Sequence, residues 1–330
     1  MTPTRLALVG AGRIGRMHAR ALETSDRVEL ALVADPDERA AAALSRHHVR
    51  DVRELLVRGG FDAAVVAAPT TLHPEILDVL IDAAVPVLCE KPCGLRSTQV
   101  RAAATAAAEA GVPVQVGYWR RFLPSLRDLR ERMAAGALGE VATVICAQWD
   151  EAPPPAAFRD PATSGGVLVD MGVHEFDTLR WLTGQELLGF AGFPSSVHYA
   201  EPIPGDADNV SLVAGLSGGA SGVITLTRRH PPGDMCRVEV LAADSVEVVT
   251  YLEPPRSEEQ LVEALRLQAE GFAELVAGTP GEGATLEDAV IALESAEAAA
   301  AALEAGDQAL ARRDGKVHNR GVAPAREEHR

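Results

Sequence analysis

The sequence predicts a two-lobed α/β chain: an N-terminal doubly wound parallel sheet, then an α+β lobe with a large open, mainly antiparallel sheet. Three features carry this reading. Short apolar runs alternate with helical segments through residue 119, an order that right-handed crossovers turn into a parallel sheet. Runs of alternating polarity between 187 and 252 follow one another without helices, the signature of antiparallel hairpins. The length, 330 residues, exceeds what one hydrophobic core usually organises, so residues 1–119 and 120–330 are assigned to separate lobes.

In chain order, RLALVG at 5–10 reads as a buried parallel strand ending in glycines, followed by a helix over 14–23. VELALVAD closes a second strand on Asp35, an Ala-rich helical stretch follows, and FDAAVVAAPT occupies 61–70. HPEILDVLIDAAV reads as helix, VPVLCEKP as strand, 97–110 as helix and VPVQVGYW as the sixth strand. Beyond Trp119, a helix over 123–134 leads to a strand at 141–149 and to EAPPPAAF, an exposed loop and a candidate lid. Residues 165–183 keep helical apolar spacing and stop at Gly184, a C-terminal cap. Two helices near 257–277 and 285–304 finish the fold, and the polar tail beyond Asp314 is expected to be loose.

The formal net charge of −16 sets up a field that repels nucleic acid and anionic membrane surfaces, so neither is expected as a partner. No stretch is apolar enough to span a bilayer, and the N-terminus runs into GAGRIG without a signal-peptide core. Cys89, Cys93, Cys146 and Cys236 lack framework spacing and read as reduced thiols. Cys89 and Cys93 flank Glu-Lys-Pro, which matches no common zinc pattern, and no metal is expected. A cytoplasmic location follows from these features.

Gly10, Gly12 and Gly15 form G-x-G-x-x-G between the first strand and first helix. That pattern supplies a tight turn, close backbone approach to a pyrophosphate and close helix packing, with the helix N-terminus favouring the anion. Asp35, twenty residues past Gly15, ends the second strand, where a carboxylate accepts from a ribose 2′-hydroxyl and repels a 2′-phosphate. NAD is therefore favoured over NADP, although Arg13 could compensate a phosphate. An ordinary strand-to-helix turn and a surface carboxylate are the plainer alternatives.

Only two lysines occur, Lys91 and Lys316, and Lys91 lies in Glu90-Lys91-Pro92 at the carboxyl end of a parallel strand, where ligands of such sheets bind. A compact ammonium there can stabilise alkoxide character as a hydride leaves the neighbouring carbon. A solvated surface lysine is the alternative. Asp170 and His174, four residues apart on the helix, project from nearly one face. Neutral imidazole suits removal of a hydroxyl proton near pH 7, and Asp170 can orient it or bind substrate. From spacing alone an ordinary surface pair explains them better, and Glu175 and Asp177 read as surface carboxylates.

Taken together, GAGRIGRMHA, AAPTTLH, CEKP, GYWRRF and SGGVLVDMGVHEFDTLRWLTG resemble the glucose-fructose oxidoreductase, inositol dehydrogenase and rhizopine-catabolism (Gfo/Idh/MocA) family nearly end to end. The resemblance implies a Rossmann domain binding NAD through Gly10, Gly12, Arg13, Ile14, Gly15 and Asp35. It implies Lys91, Asp170 and His174 as the catalytic group, with His174 exchanging the hydroxyl proton. Pro69, Thr70, His73, Glu90, Trp119 and Arg120 are implied around the nicotinamide or substrate. Family members assemble as dimers or tetramers through the open sheet, so a homodimer or homotetramer is expected.

The helix and GYWRRF segments look closest to inositol dehydrogenases, making a cyclitol the leading substrate and a sugar the alternative. After the seventh strand this chain departs from them with Trp149-Asp150-Glu151 and a run of prolines. Two carboxylates there could bind a protonated amine, so an aminocyclitol is entertained, with solvated loop acids as the plainer reading. A redox-neutral glycosidase that retains its NAD and a non-catalytic NAD sensor are the rival functions.

Overall fold

The computed structural model describes residues 2–152, 154–198, 203 and 205–314. The polar tail past Asp314 and Lys316 lie outside the described residues. In the first lobe the chain runs β1 (Thr4–Val9), α1 (Arg13–Glu23), β2 (Val28–Ala34), α2 (Glu38–Leu44), β3 (His48–Val49), α3 (Val52–Arg58), β4 (Ala63–Val66), α4 (His73–Asp82), β5 (Val87–Cys89), α5 (Ser97–Ala110) and β6 (Val114–Val116). These strands form one sheet in the order β3-β2-β1-β4-β5-β6, every pair parallel. Strand order reverses between β1 and β4, so their carboxyl ends open the crevice where such sheets bind ligands. β3 has two residues, too few to show a periodicity, which is why pattern reading passes over it.

A short turn, Trp119–Phe122, leads into the second lobe through α6 (Pro124–Ala134), β7 (Val141–Trp149), α7 (Ala156–Arg159) and α8 (Pro161–Ser164). Next come a π turn over Leu168–Gly172, α9 (Val173–Thr183), β8 (Leu187–Ser195), β9 (Asn209–Leu216), β10 (Ser221–Thr227), β11 (Met235–Ala242) and β12 (Val246–Leu252). The second sheet has the order β12-β11-β7-β10-β9-β8 and is antiparallel except where β7 lies parallel to β10. Along β9, Val210, Leu212, Ala214 and Leu216 are buried while Ser211, Val213 and Gly215 are exposed. α9 and the helix Leu286–Asp314 pack against the sheet, and among the described residues the opposite face exposes Phe193, Val213, Val246 and Val248.

One helix differs from expectation. The helix over 165–183 is not uniform, because the segment carrying Asp170 widens into the π turn, a local irregularity that recurs at functional sites. α10 (Ser257–Val276) and α11 (Leu286–Asp314) pack on both lobes, α10 against α1 of the first and β12 of the second, and α11 against α5 of the first and β8 and α9 of the second. Phe272 and Ala269 share a core cluster with Leu6, Leu8 and Val33. Helical periodicity shows that a helix has an apolar face but does not name the surface that covers it. All four cysteines are free and buried. Among the described residues no helix is long and apolar enough to cross a membrane, and no cluster of His, Cys, Asp and Glu is arranged to hold a metal ion.

Candidate active site

The glycine loop is shaped by contacts that exclude a side chain. Gly10 has φ of 105°, and a Cβ there would stand 2.5 Å from the Ala67 carbonyl oxygen. A Cβ on Gly15 would stand 2.0 Å from the Gly10 carbonyl oxygen, so α1 presses directly on the loop. Gly12, by contrast, faces open space. It begins α1 without a side-chain cap, and the first turn holds no acidic residue, which leaves the first-turn N–H groups for an anion. These residues fit a dinucleotide: the loop leaves room at Gly12, and the helix end supplies unpaired donors.

Asp35 is half-buried at the end of β2, with Oδ2 accepting from Ala11 N at 2.7 Å and Oδ1 from Asp37 N at 2.8 Å. A carboxylate keeps further lone pairs after two such bonds, so Asp35 can still accept from ribose hydroxyls. Ile14 is half-buried against the core, whereas Arg13 is exposed, its guanidinium 3.9 Å from Asp234 of the second lobe.

The ends of β4 and β5 form the next wall. Pro69 is exposed and Thr70 starts a tight turn. His73 is buried, with Nδ1 2.8 Å from the Pro92 carbonyl and Nε2 2.8 Å from the Ala68 carbonyl. Burial pushes its pKa down, against the pull of those two carbonyls. His73 thus braces the β4 loop against the Lys91-Pro92 loop from inside. Glu90 is also buried. One oxygen meets His18 Nε2 at 2.8 Å and the other accepts from Lys91 N at 3.2 Å. His18 was not singled out by the sequence; its one signal is its place in GRMHA on α1.

Lys91 reaches across to the second lobe, where Nζ donates to the Asp170 carbonyl oxygen at 2.6 Å and lies 3.6 Å from Asp170 Oδ1. His174 sits one turn further along, buried, with the Tyr118 and Trp119 rings edge-on at 5.8 Å and 6.2 Å. Burial holds its pKa well below the usual imidazole range, and the cations Lys91 and Arg120 push the same way. The ring is therefore neutral at pH 7. Nδ1 is sealed without a partner, which leaves Nε2 as the nitrogen available to an incoming group. Arg228, also missed by the sequence, is fully buried and donates from Nη1 to Asp170 Oδ2 at 2.9 Å.

The remaining candidates separate. Asp150 is half-buried, with Oδ1 accepting from Gln148 Nε2 at 3.1 Å. Burial raises its pKa to about 6, and Asp234 and Asp170 add to the rise while Gln148 and Arg228 oppose it. Glu151 is exposed, and its backbone N–H donates to Asp234. Trp149 is turned to the other face of the sheet, where Nε1 donates to Thr225 Oγ1 at 3.1 Å. Strand alternation requires this, since Gln148 and Asp150 share the face under α9. Arg120 is 2 % exposed and lies beneath the site, bonded to Glu175 at 2.6 Å and Gln148 at 2.7 Å.

Glu175 and Asp177 are not surface carboxylates. Glu175 pairs with Arg120, and Asp177 with Arg121 at 2.5 Å, all four side chains buried. The reason is the environment of α9, which lies between β7, α6 and α11, so its charged positions need buried partners.

Two family profiles match the chain. Residues 4–118 match the oxidoreductase family with an NAD-binding Rossmann fold, and 126–245 match the GFO/IDH/MocA C-terminal domain. The chain is 43% identical over 302 residues to the rhizopine catabolism protein MocA of Rhizobium meliloti, covering 91% of this chain and 95% of that protein. It is 38% identical over 242 residues to the myo-inositol dehydrogenase Hyg17 of Streptomyces leeuwenhoekii, covering 72% and 73% of the two chains. Among solved structures, a myo-inositol dehydrogenase of Corynebacterium glutamicum superposes with a TM-score of 0.84 at 27% identity, covering 92% and 97%. GenD2 from gentamicin A biosynthesis, in complex with NAD, gives a TM-score of 0.84 at 26% identity, covering 93% and 95%. With a glycine loop built for a dinucleotide and both lobes matched, the chain belongs to the Gfo/Idh/MocA family and is an NAD-dependent oxidoreductase.

Proposed function

We propose that the enzyme oxidises a secondary alcohol of a cyclic polyol to the ketone, NAD supplying the hydride acceptor when bound. The observation that carries this reading is the contact of Lys91 Nζ with Asp170 across the two lobes, with His174 one turn away. The Lys91 ammonium keeps donors for the substrate oxygen and stabilises the negative charge that develops there. His174, held neutral, accepts the hydroxyl proton at Nε2. Asp170 orients Lys91 and is available to a neighbouring hydroxyl. The relatives named as inositol dehydrogenases support a cyclitol as the substrate class.

An aminated cyclitol is favoured by one observation, the half-buried Asp150 in a setting already crowded by the Asp170 and Asp234 carboxylates. A protonated amine beside Asp150 relieves that repulsion. Glu151 is exposed, and its backbone N–H is turned to Asp234. A screen of cyclitols, aminocyclitols and sugars followed by NADH absorbance tests both levels. Net NADH from a cyclic polyol is expected, and NAD binding without net NADH from any polyol overturns the reading in favour of a sensor or a redox-neutral hydrolase.

The open face of the second sheet supports self-association. Phe193, Val213, Val246 and Val248 are each more than half exposed there, and such a patch marks an interface. A homodimer or homotetramer is expected by light scattering, and Phe193→Glu with Val213→Glu should dissociate it. Free, buried cysteines and an NAD cofactor support a cytoplasmic location.

A further inference from the structure

Resting on the proposed reaction at Lys91, Asp170 and His174, we infer that Arg228 is a positioning residue that holds one carboxylate oxygen of Asp170 and keeps the other turned to Lys91. Arg228 directly follows β10, and strand alternation puts it on the covered face while Arg229 is exposed. It is the second lobe's own anchor for Asp170.

Distances decide which cation holds the carboxylate. Arg228 Nη1 to Asp170 Oδ2 is 2.9 Å, a direct charge-assisted hydrogen bond. Lys91 Nζ to Asp170 Oδ1 is 3.6 Å, beyond hydrogen-bond range, and the close contact of Lys91 is with the Asp170 main-chain oxygen. Arg228 therefore sets the carboxylate, and the carboxylate in turn faces Lys91. The lysine keeps its other N–H donors for substrate.

The anchor is itself fixed. Arg228 Nη2 lies 3.4 Å from Asp206 Oδ1, and the same oxygen accepts from Val167 N at 2.8 Å, just before the π turn that carries Asp170. The Arg228 main-chain N–H donates to the Asp208 carbonyl at 2.8 Å. One guanidinium thus ties the end of β10 to the start of the helix bearing Asp170 and His174. Because a guanidinium does not deprotonate in proteins, this tie persists across the working pH range.

The test compares Arg228→Lys and Arg228→Met, each alone and combined with Asp170→Asn. Loss of kcat on the order of 100-fold is expected for Arg228→Met, the scale of an ångström-size misplacement, with NAD affinity within about twofold of wild type. Arg228→Lys should retain part of kcat and guards against a Met variant that does not fold. In the Asp170→Asn background neither substitution should lower kcat further, because Arg228 acts through Asp170. Additive losses in that cycle overturn the inference. A crystal structure of the Lys variant gives a readout that needs no turnover: a displaced Asp170 carboxylate supports the inference, and an unmoved one overturns it. Wild-type enzyme that oxidises no polyol would instead count against the proposed reaction and leave this structural arm standing.

Discussion

His18 Nε2 and Glu90 Oε1 meet at 2.8 Å in the interior, joining the helix behind the glycine loop to the strand end that carries Lys91. Glu90 thus links α1 to the backbone of Lys91, the proposed reacting lysine. Replacing His18 by Leu leaves the Glu90 carboxylate buried without that partner, at a cost of about 1–3 kcal/mol. A lower Tm in thermal unfolding, with weaker NAD binding and lower kcat together, is the expected outcome. A variant impaired in neither would show that the contact couples nothing.

The glycine loop separates folding from binding at two neighbouring positions. Gly12→Ala adds a methyl in open space at an ordinary φ of −69°, so the protein should fold as wild type. Its NAD affinity should fall by roughly tenfold or more, because the methyl occupies the side from which the pyrophosphate approaches. Gly10→Ala meets a positive φ and the Ala67 carbonyl, and is expected to destabilise the lobe by about 1–3 kcal/mol. Calorimetric NAD titration beside thermal melts distinguishes the two.

Lys91→Ala and His174→Ala should each lower kcat by roughly 10²–10⁴-fold with little change in NAD affinity, since the proposed roles put them on charge and a proton at the reacting oxygen. Equal damage to NAD binding would contradict these roles. The His174 pKa lies well below the ordinary value, so the neutral base persists as pH falls through about 6.5. For an unaminated cyclitol, kcat/KM should accordingly show no acid limb near 6.5.

Asp150, with its pKa raised to about 6, makes the opposite prediction for an aminated substrate. The carboxylate is ionised above that value, so KM for an aminocyclitol should rise as pH falls through about 6, while KM for the unaminated ring does not. Asp150→Asn should remove the dependence and weaken the aminated substrate by roughly tenfold. In the free enzyme the sign for stability is reversed. A raised carboxyl pKa means the stabilising neutral form is fully present below 3.8 and its contribution is lost as pH rises through about 6. Asp150→Asn is therefore expected to raise Tm more at pH 7 than at pH 4.

What was legible in the sequence lay within single elements. Gly10, Gly12 and Gly15 with Asp35 declare themselves because a dinucleotide turn needs fixed spacings along a continuous strand, loop and helix. Lys91 stood out as one of two lysines at a strand end, and Gly184 marked the end of α9, where its φ of 65° closes the helix. The sidedness of Trp149 and Asp150 was also available from strand alternation, and reading that alternation separates the two residues.

The chain by itself determined the order of strands and helices, the dinucleotide loop and the chemical character of the lysine, aspartate and histidine, because these depend on neighbours a few residues apart. Only the tertiary structure decided that Glu175 and Asp177 are buried partners of Arg120 and Arg121, that α10 and α11 pack on both lobes, and that Arg228 pairs with Asp170. Those outcomes depend on groups many tens of residues apart, Arg120 and Glu175 by 55 and Arg228 and Asp170 by 58. A charge's fate is set by whether folding brings it a counter-charge before it loses water, and periodicity carries no record of that partner.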